Sequence, residues 1–282
     1  MICTDNETSI VYMVAGLSSR FGGKIKQFAQ VGPNNETLME VSIDQAIRAG
    51  AKKIIFVVGE KTENPFKEKF GKDGAKYKGF PVFYAKQTFD STQRDKPWGT
   101  TDALVAAKDI INGPFVVCNG DDLYGEKAFK QAFDFLASNK NECVAVGYEL
   151  GKVLPASGKT NRGVFKTDNN NFVTNLEEVF DIEKQKLAEK GLCEKTLCSM
   201  NLFGLRNEVV WMLADKLEHF KKQHSGDRKA ECLLPVELSN LIKEKRIVMK
   251  LLPTLDTWLG ITNPGDEETV RMQLKEQFTK DL

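Results

Sequence analysis

The sequence predicts an α/β protein of three layers, α/β/α, built on a mixed but mostly parallel sheet. Two observations predict it. Apolar runs of strand length alternate with segments of helical period, most regularly through the first half of the chain. The second half interrupts that alternation once, where two strand-like segments meet at an Asn-rich turn.

Taken in order, "SIVYMV" is the first strand, and "ETLMEVSIDQAIRAG" sets Met39, Ile43, Ala46 and Ile47 on one helical face before stopping at Gly50. "KKIIFVVG", "PVFYA", "GPFVVCNGDD" and "CVAVGYEL" read as further strands. Between them, "TTDALVAAKDII" and "GEKAFKQAFDFLASN" read as helices, the former with Thr100 or Thr101 as its N-cap. Beyond residue 150, "RGVFKTDNNNFVTNLEEV" is a hairpin and "CSMNLFGL" a strand. "NEVVWMLADKLEHFKKQH" is an amphipathic helix with Val209, Val210, Leu213 and Leu217 near one face, and "RIVMKLL" is a late strand. No repeat or low-complexity tract is visible.

Lys and Arg total 40 against 39 Asp and Glu, a balance that excludes the broad basic field of a general nucleic-acid binder. An anionic ligand must therefore be held by a local cluster. Six cysteines without a CxxC pair, and only His219 and His224, argue against zinc and against a disulfide framework. Cysteines within runs such as "PFVVC" behave as small buried hydrophobes and suit a reducing, cytoplasmic setting. No stretch approaches the ~20 apolar residues of a membrane span, and no leader is expected.

Three stretches carry chemistry. After the first strand, "AGLSSRFGGKIKQF" offers small residues that let backbone N–H groups approach an anion, together with Arg20 and Lys26. It is not a Walker A loop, because Ile25 stands where Ser or Thr must follow Lys24. It is not a dinucleotide fingerprint either, because Gly16 is followed by Leu17 and Ser18. The second stretch, "NGDD", ends a strand at the edge where open α/β sheets bind ligands; Asp121 or Asp122 suits Mg²⁺ there, or caps the turn. Strand alternation predicts that only one of the two enters a site. The third, "KPWGTTDAL", is a loop that opens a helix toward the same edge.

In that order, these stretches resemble the nucleotidyltransferase superfamily that makes nucleotide sugars, including glucose-1-phosphate thymidylyl-, uridylyl- and adenylyltransferases. The resemblance covers most of the chain. It implies a Rossmann-like, GT-A-type sheet with an added substrate-binding hairpin region, forming one domain over 1–282. Residues 1–150 would be its nucleotide-binding half and 151–282 its acceptor-binding half. It further implies a Mg²⁺-dependent enzyme that moves a nucleoside monophosphate from a triphosphate to a phosphorylated acceptor, a sugar 1-phosphate above all.

On this resemblance Arg20, Lys26 and Asp121 are catalytic, with Asp121 the metal ligand. Ala15, Gly16, Leu17, Ser18, Gln87, Pro97, Gly99, Thr100 and Gly120 would surround the nucleotide, Gln87 reading the base. The Gly22-Gly23 pair would let its loop fold over the triphosphate. Gly163, Glu178, Asn201 and Glu231 would face the acceptor.

The sequence departs from the family pattern twice. A second metal aspartate is expected two residues after Trp258, where Gly260 stands, leaving Asp256 and Asp266 as candidates. The lysine expected after the mid-chain glutamate is missing from "NLEEVF".

Two other readings compete. One is a cytidylyltransferase for a non-sugar phosphate such as phosphocholine or a phosphonate, with Phe165, Phe180, Phe203 and Trp211 available for a quaternary ammonium. The other is a non-catalytic nucleotide-sugar-binding regulator. The expected partners are small molecules, with neither nucleic acid nor membrane, and assembly into a homo-oligomer is left open.

Overall fold

The computed structural model describes residues 7–16, 25–261 and 265–280. The first half runs β1 (Ser9–Met13), α1 (Leu38–Ala49), β2 (Lys53–Val58), α2 (Glu63–Phe70), β3 (Lys76–Tyr77), β4 (Phe80–Lys86), α3 (Thr100–Val105) and β5 (Phe115–Asn119). Next come β6 (Asp122–Leu123), α4 (Glu126–Ser138), β7 (Cys143–Glu149), α5 (Leu150–Val153), β8 (Thr160–Thr167) and β9 (Val173–Ile182). The chain closes with β10 (Leu197–Leu205), α6 (Asn207–Gln223), α7 (Leu234–Lys243), β11 (Met249–Pro253), β12 (Leu259–Gly260) and α8 (Asp266–Lys280).

One 10-stranded sheet has the order β11-β7-β10-β5-β1-β2-β4-β3, and the β8–β9 hairpin joins it through β10. Parallel ladders link β1 to β2 and β5, β2 to β4, and β11 to β7. β10 enters antiparallel between β5 and β7, so strands from both sides of residue 150 share the sheet. The fold is therefore the expected mixed, mostly parallel α/β type with an attached hairpin.

Strand alternation divides the core into two layers. Ile10, Tyr12 and Phe56 face α1, α2 and α4 through Met39, Ile43, Phe66, Phe70 and Phe129. Phe56 lies 5.1 Å from the rings of both Phe66 and Phe70. On the opposite face Val11, Ile55 and Val117 meet Leu104 of α3, Val209 and Leu213 of α6, and Leu238 and Leu241 of α7. A smaller cluster packs Val270 and Leu274 of α8 against Leu123 and Leu259, behind the two-stranded β6–β12 ribbon.

Helix α1 shows how local sequence fixes these elements. Thr37 accepts from the Glu40 backbone N–H, and Glu40 Oε2 accepts from the Thr37 backbone N–H at 2.8 Å, a complete capping box. Burial works against the Glu40 charge, yet the Thr37 donors and the Lys69 ammonium at 3.0 Å outweigh it and hold the carboxyl below its ordinary range. The stability this contributes is present above the unfolded carboxyl's value and is lost as pH falls through the folded one. Thr37→Ala is expected to cost about 1 kcal/mol in a denaturant titration at neutral pH.

Helix α3 differs from its expectation. Its N-cap is Gly99, at φ 96°, and neither threonine caps it. Thr100 Oγ1 instead accepts from the Leu234 backbone N–H at 2.8 Å, and the Thr101 N–H donates to the Cys232 carbonyl at 3.0 Å. The helix start is thus tied to the segment leading into α7, which fixes its direction without a side-chain cap. The helix also stops at Val105, short of the apolar run that suggested it.

Candidate active site

At the C-terminal end of β5 the chain leaves the sheet through Gly120 and Asp121 and then pairs β6 with β12, setting Asp122 opposite Gly260. This corner breaks the strand alternation. Asp121 and Asp122 consequently both line one cavity of about 400 Å³, where alternation alone admitted one. The same wall includes Lys26, Thr100, Gly163, Glu178 and Asn201. Those residues arrive from five parts of the fold, and only the sheet's topology makes them neighbours.

Lys26 reaches Asp121 Oδ2 in an ion pair, and its ammonium also donates to the Ile261 carbonyl at 3.4 Å. Asp122 is buried, with Oδ2 accepting from Asn119 Nδ2 at 2.9 Å and lying 3.2 Å from the Tyr124 hydroxyl. Burial first, then the neighbouring Asp121 charge, pushes the Asp122 carboxyl up to about 7. Tyr124 is fully buried and fastens three parts of the site: its hydroxyl accepts from the Asn119 N–H at 3.1 Å, meets Asp122, and donates to the Met200 carbonyl at 2.7 Å.

The far wall is built by irregularity in β10. Its register against β7 shifts between Ser199 and Phe203, and Asn201 takes φ 63°, a left-handed conformation that asparagine tolerates. Ser199, Met200 and Asn201 turn to the cavity there, and Asn201 Nδ2 reaches toward Asn119 Oδ1 at 3.5 Å. The hairpin adds Glu178 and Gly163, which stand opposite each other in the β8–β9 ladder. Burial raises the Glu178 carboxyl, while the Arg162 charge acts in the opposite direction.

Other expected residues lie elsewhere. Leu17, Ser18, Arg20 and the Gly22-Gly23 pair fall outside the described residues. Ala15 and Gly16 follow β1 at the same edge of the sheet but do not line this cavity. Gln87 is buried and spends its amide donors internally, on the Gly99 carbonyl at 3.1 Å and Asp102 at 2.8 Å. Gly99 has no open face for a ligand where a Cβ would point, because the Cys232 carbonyl oxygen lies 2.6 Å from that position. Pro97 and Gly120 shape the two loops without lining the cavity. A Cβ at Gly120 would lie 2.2 Å from Val14 Cγ1, so the corner beside β1 is closed to any side chain.

Glu231 is exposed and paired with Lys96 at 2.5 Å; it does not line the cavity, whereas Leu233 and Pro235 just beyond it do. Asp256 caps α4, accepting from the Ala128 N–H at 2.9 Å, and Asp266 lines a neighbouring cavity. The acidic group beside Gly260 is Asp122, whose Oδ1 is 2.8 Å from where a Cβ at 260 would sit. Phe165 and Phe203 are core residues, Phe180 and Trp211 are exposed, and none of the four lines the cavity. Among the residues of the wall without a role assigned from sequence are Arg162, Asn161, Ser199, Met200 and Asn119, and Trp258, a landmark in the sequence, joins them.

Comparison with protein families matches residues 23–234 to the nucleotidyl transferase family. The chain belongs to that family. No curated protein matches this family member. Its fold is shared with solved structures of low sequence identity. A putative glucose-1-phosphate thymidylyltransferase from Bacillus anthracis, in complex with a sucrose, superposes with a TM-score of 0.67 at 13% identity, over 95% of this chain and 96% of that one. The inositol-1-phosphate CTP transferase from T. maritima gives 0.63 at 13% identity, over 96% and 98%. HddC from Yersinia pseudotuberculosis, complexed with GMP-PN, gives 0.60 at 14% identity, over 94% and 99%. No helix among this family member's described residues is long and apolar enough to cross a membrane.

Proposed function

We propose that this chain transfers a nucleoside monophosphate from a nucleoside triphosphate to a phosphorylated polyol acceptor, a sugar 1-phosphate above all, and releases pyrophosphate. The observation that carries the reading is the composition of one cavity: Lys26 and Asp121 on its sheet side face Glu178, Gly163 and Asn201 on its hairpin side. The names of two structural relatives, a glucose-1-phosphate and an inositol-1-phosphate transferase, add support, since both denote acceptors that are monophosphates of polyols.

In the reaction an acceptor phosphate oxygen attacks the α-phosphorus in line. The bond from that phosphorus to the bridging oxygen breaks, and the electron pair leaves with pyrophosphate. A phosphate monoester is already a competent nucleophile near neutral pH, so the protein's task is positioning and charge neutralisation. The Lys26 ammonium would hold phosphate oxygens beside Asp121, and Arg20 would meet the leaving pyrophosphate. Half-buried Glu178 would accept hydrogen bonds from acceptor hydroxyls, with the Asn201 amide beside it.

The donor set fits Mg²⁺: Asp121 and Asp122 are hard oxygen ligands on one wall. Among the described residues no group of three His, Cys, Asp or Glu side chains converges, so the ion's shell would be completed by phosphate oxygens and water. When bound, it supplies positive charge to the phosphate oxygens.

None of the four aromatic residues named for a quaternary ammonium lines the cavity, and Trp258, which does, already faces the Arg162 guanidinium. The deciding experiment measures pyrophosphate release with Mg²⁺ across the four ribonucleoside triphosphates and dTTP, each paired with glucose 1-phosphate, inositol 1-phosphate and phosphocholine. Release with a polyol phosphate is the expected result. Release with phosphocholine alone, or tight nucleotide-sugar binding without turnover of any pair, would overturn it.

A further inference from the structure

The cavity wall holds three carboxylates, Asp121, Asp122 and Glu178, and two cations, Lys26 and Arg162. Lys26 is taken up by Asp121. A doubly charged phosphate entering on the hairpin side would therefore meet mainly negative charge unless the second cation receives it. We infer that Arg162 binds the acceptor's phosphate through the Nε–Nη2 edge of its guanidinium, braced by Trp258 in the space that Gly260 leaves open. The inference rests on the transfer reaction proposed above and names the residue that selects a phosphorylated acceptor.

The hydrogen bonds of Arg162 leave that edge available. Nη1 is committed, donating to Thr160 Oγ1 and to the Asn161 carbonyl, both at 2.9 Å. Nη2 makes one long contact, to the Val153 carbonyl at 3.4 Å. Nε is buried without a partner, an arrangement that is costly until an acceptor arrives. Nε and Nη2 together form the side of the fork that grips two oxygens of one phosphate. Presenting Nε takes a turn of the guanidinium that gives up the two Nη1 bonds as well as the long Nη2 contact, an exchange that a pair of charge-assisted bonds to one phosphate offsets. Glu178 is close enough for its charge to be felt by Arg162, yet no ion pair among the described residues engages the arginine.

Position 260 explains why the arginine stands where it does. A Cβ there would lie 2.4 Å from the Trp258 ring, so a side chain at 260 would push the ring away. With glycine in place, the ring sits 5.8 Å from the Arg162 guanidinium, within cation–π range. Across the hairpin Arg162 pairs with Val179, the uncharged residue that follows Glu178.

The test uses the full chain and three variants, R162Q, R162K and G260A, each checked by thermal melting. With glucose 1-phosphate and inositol 1-phosphate as acceptors, R162Q is expected to raise the acceptor KM about tenfold or more while the triphosphate KM stays within about twofold. R162K keeps the charge without the fork and should fall between wild type and R162Q. G260A, by displacing Trp258, should raise the acceptor KM in the same direction. An unchanged acceptor KM in R162Q and R162K, or a triphosphate KM that rises in step with it, would overturn the proposal. Calorimetric titration with inorganic phosphate needs no turnover: wild type should bind, and R162Q about tenfold more weakly. Equal binding by the two, or none by wild type, would also overturn it. Binding that is lost in R162Q from a protein that transfers nothing would sink the reaction and leave the arginine's role standing.

Discussion

Asparagine in place of Asp121 is expected to slow pyrophosphate release about 10²–10³-fold with Mg²⁺ present, the loss seen when one preorganised charge-stabilising group is removed. The substitution keeps the side chain's size and leaves the fold nearly untouched. Asp121 sits on the corner between β5 and β6, partly exposed, and its side chain meets Lys26 in place of any backbone group. The loss should appear in kcat, with the triphosphate KM moving less than about tenfold, because the group acts on charge developing in the transition state. A continuous pyrophosphate assay with a matched melting curve checks both halves of the prediction. Turnover at the wild-type rate would remove Asp121 from the reaction.

Lys26→Gln should lower kcat/KM for the triphosphate by about 10²-fold, through a different cause. The ammonium stands between the Asp121 carboxylate and the Ile261 carbonyl, so its removal leaves Asp121 and Asp122 side by side without a compensating cation. A phosphate then meets two repelling carboxylates where it should meet a lysine. Arginine is expected to restore little, since its planar fork is wider than the point charge that fits this gap. The pair also predicts an interaction. If Lys26 and Asp121 act as one unit, the K26Q/D121N double variant loses little more than the worse single variant, which a double-mutant cycle on kcat/KM measures.

Much of the frame is legible in the sequence, for physical reasons particular to each element. Helix α1 carries its capping box, its apolar face and its terminal Gly50 within fifteen residues, all local signals. β2 is buried at every position and reads as an unbroken apolar run. The direction of β10 was not readable, because an apolar run looks the same in a parallel and an antiparallel ladder. Gly99 as the N-cap of α3 was missed because the bonds that replace a cap come from residues 232 and 234, far away in sequence.

The same distinction governs the site. Lys26 and Asp121 follow strands at the sheet edge, where order along the chain already brings them near each other. Arg162 and Trp258 lie on elements whose inward faces depend on the hairpin register and on the β6–β12 pairing, which no local pattern encodes. Strand alternation admits only one of Asp121 and Asp122 and the family resemblance names Asp121, whereas the non-local β6–β12 pairing brings both to the cavity. The corner leaves no room for a side chain, since a Cβ at Gly120 would meet Val14 more than a hundred positions away in sequence.

The attachment of the hairpin bears on how this protein can change over evolutionary time. The β8–β9 pair touches the main sheet through Cys198 opposite Val164 and Ser199 opposite Gly163, and at its turn through a Phe172–Lys250 bridge and the Leu251 N–H donating to the Asn171 carbonyl at 2.8 Å; α7 packs against β9. Lys26, Asp121 and Tyr124 belong instead to the central strands and the elements packed directly on them. On the proposed reaction, substitutions in the hairpin would alter which acceptor is received while the centre around Lys26 and Asp121 keeps its dimensions. On that reaction, chemistry and choice of partner would be housed in separate parts of the fold, and the hairpin is where a new acceptor would be acquired first.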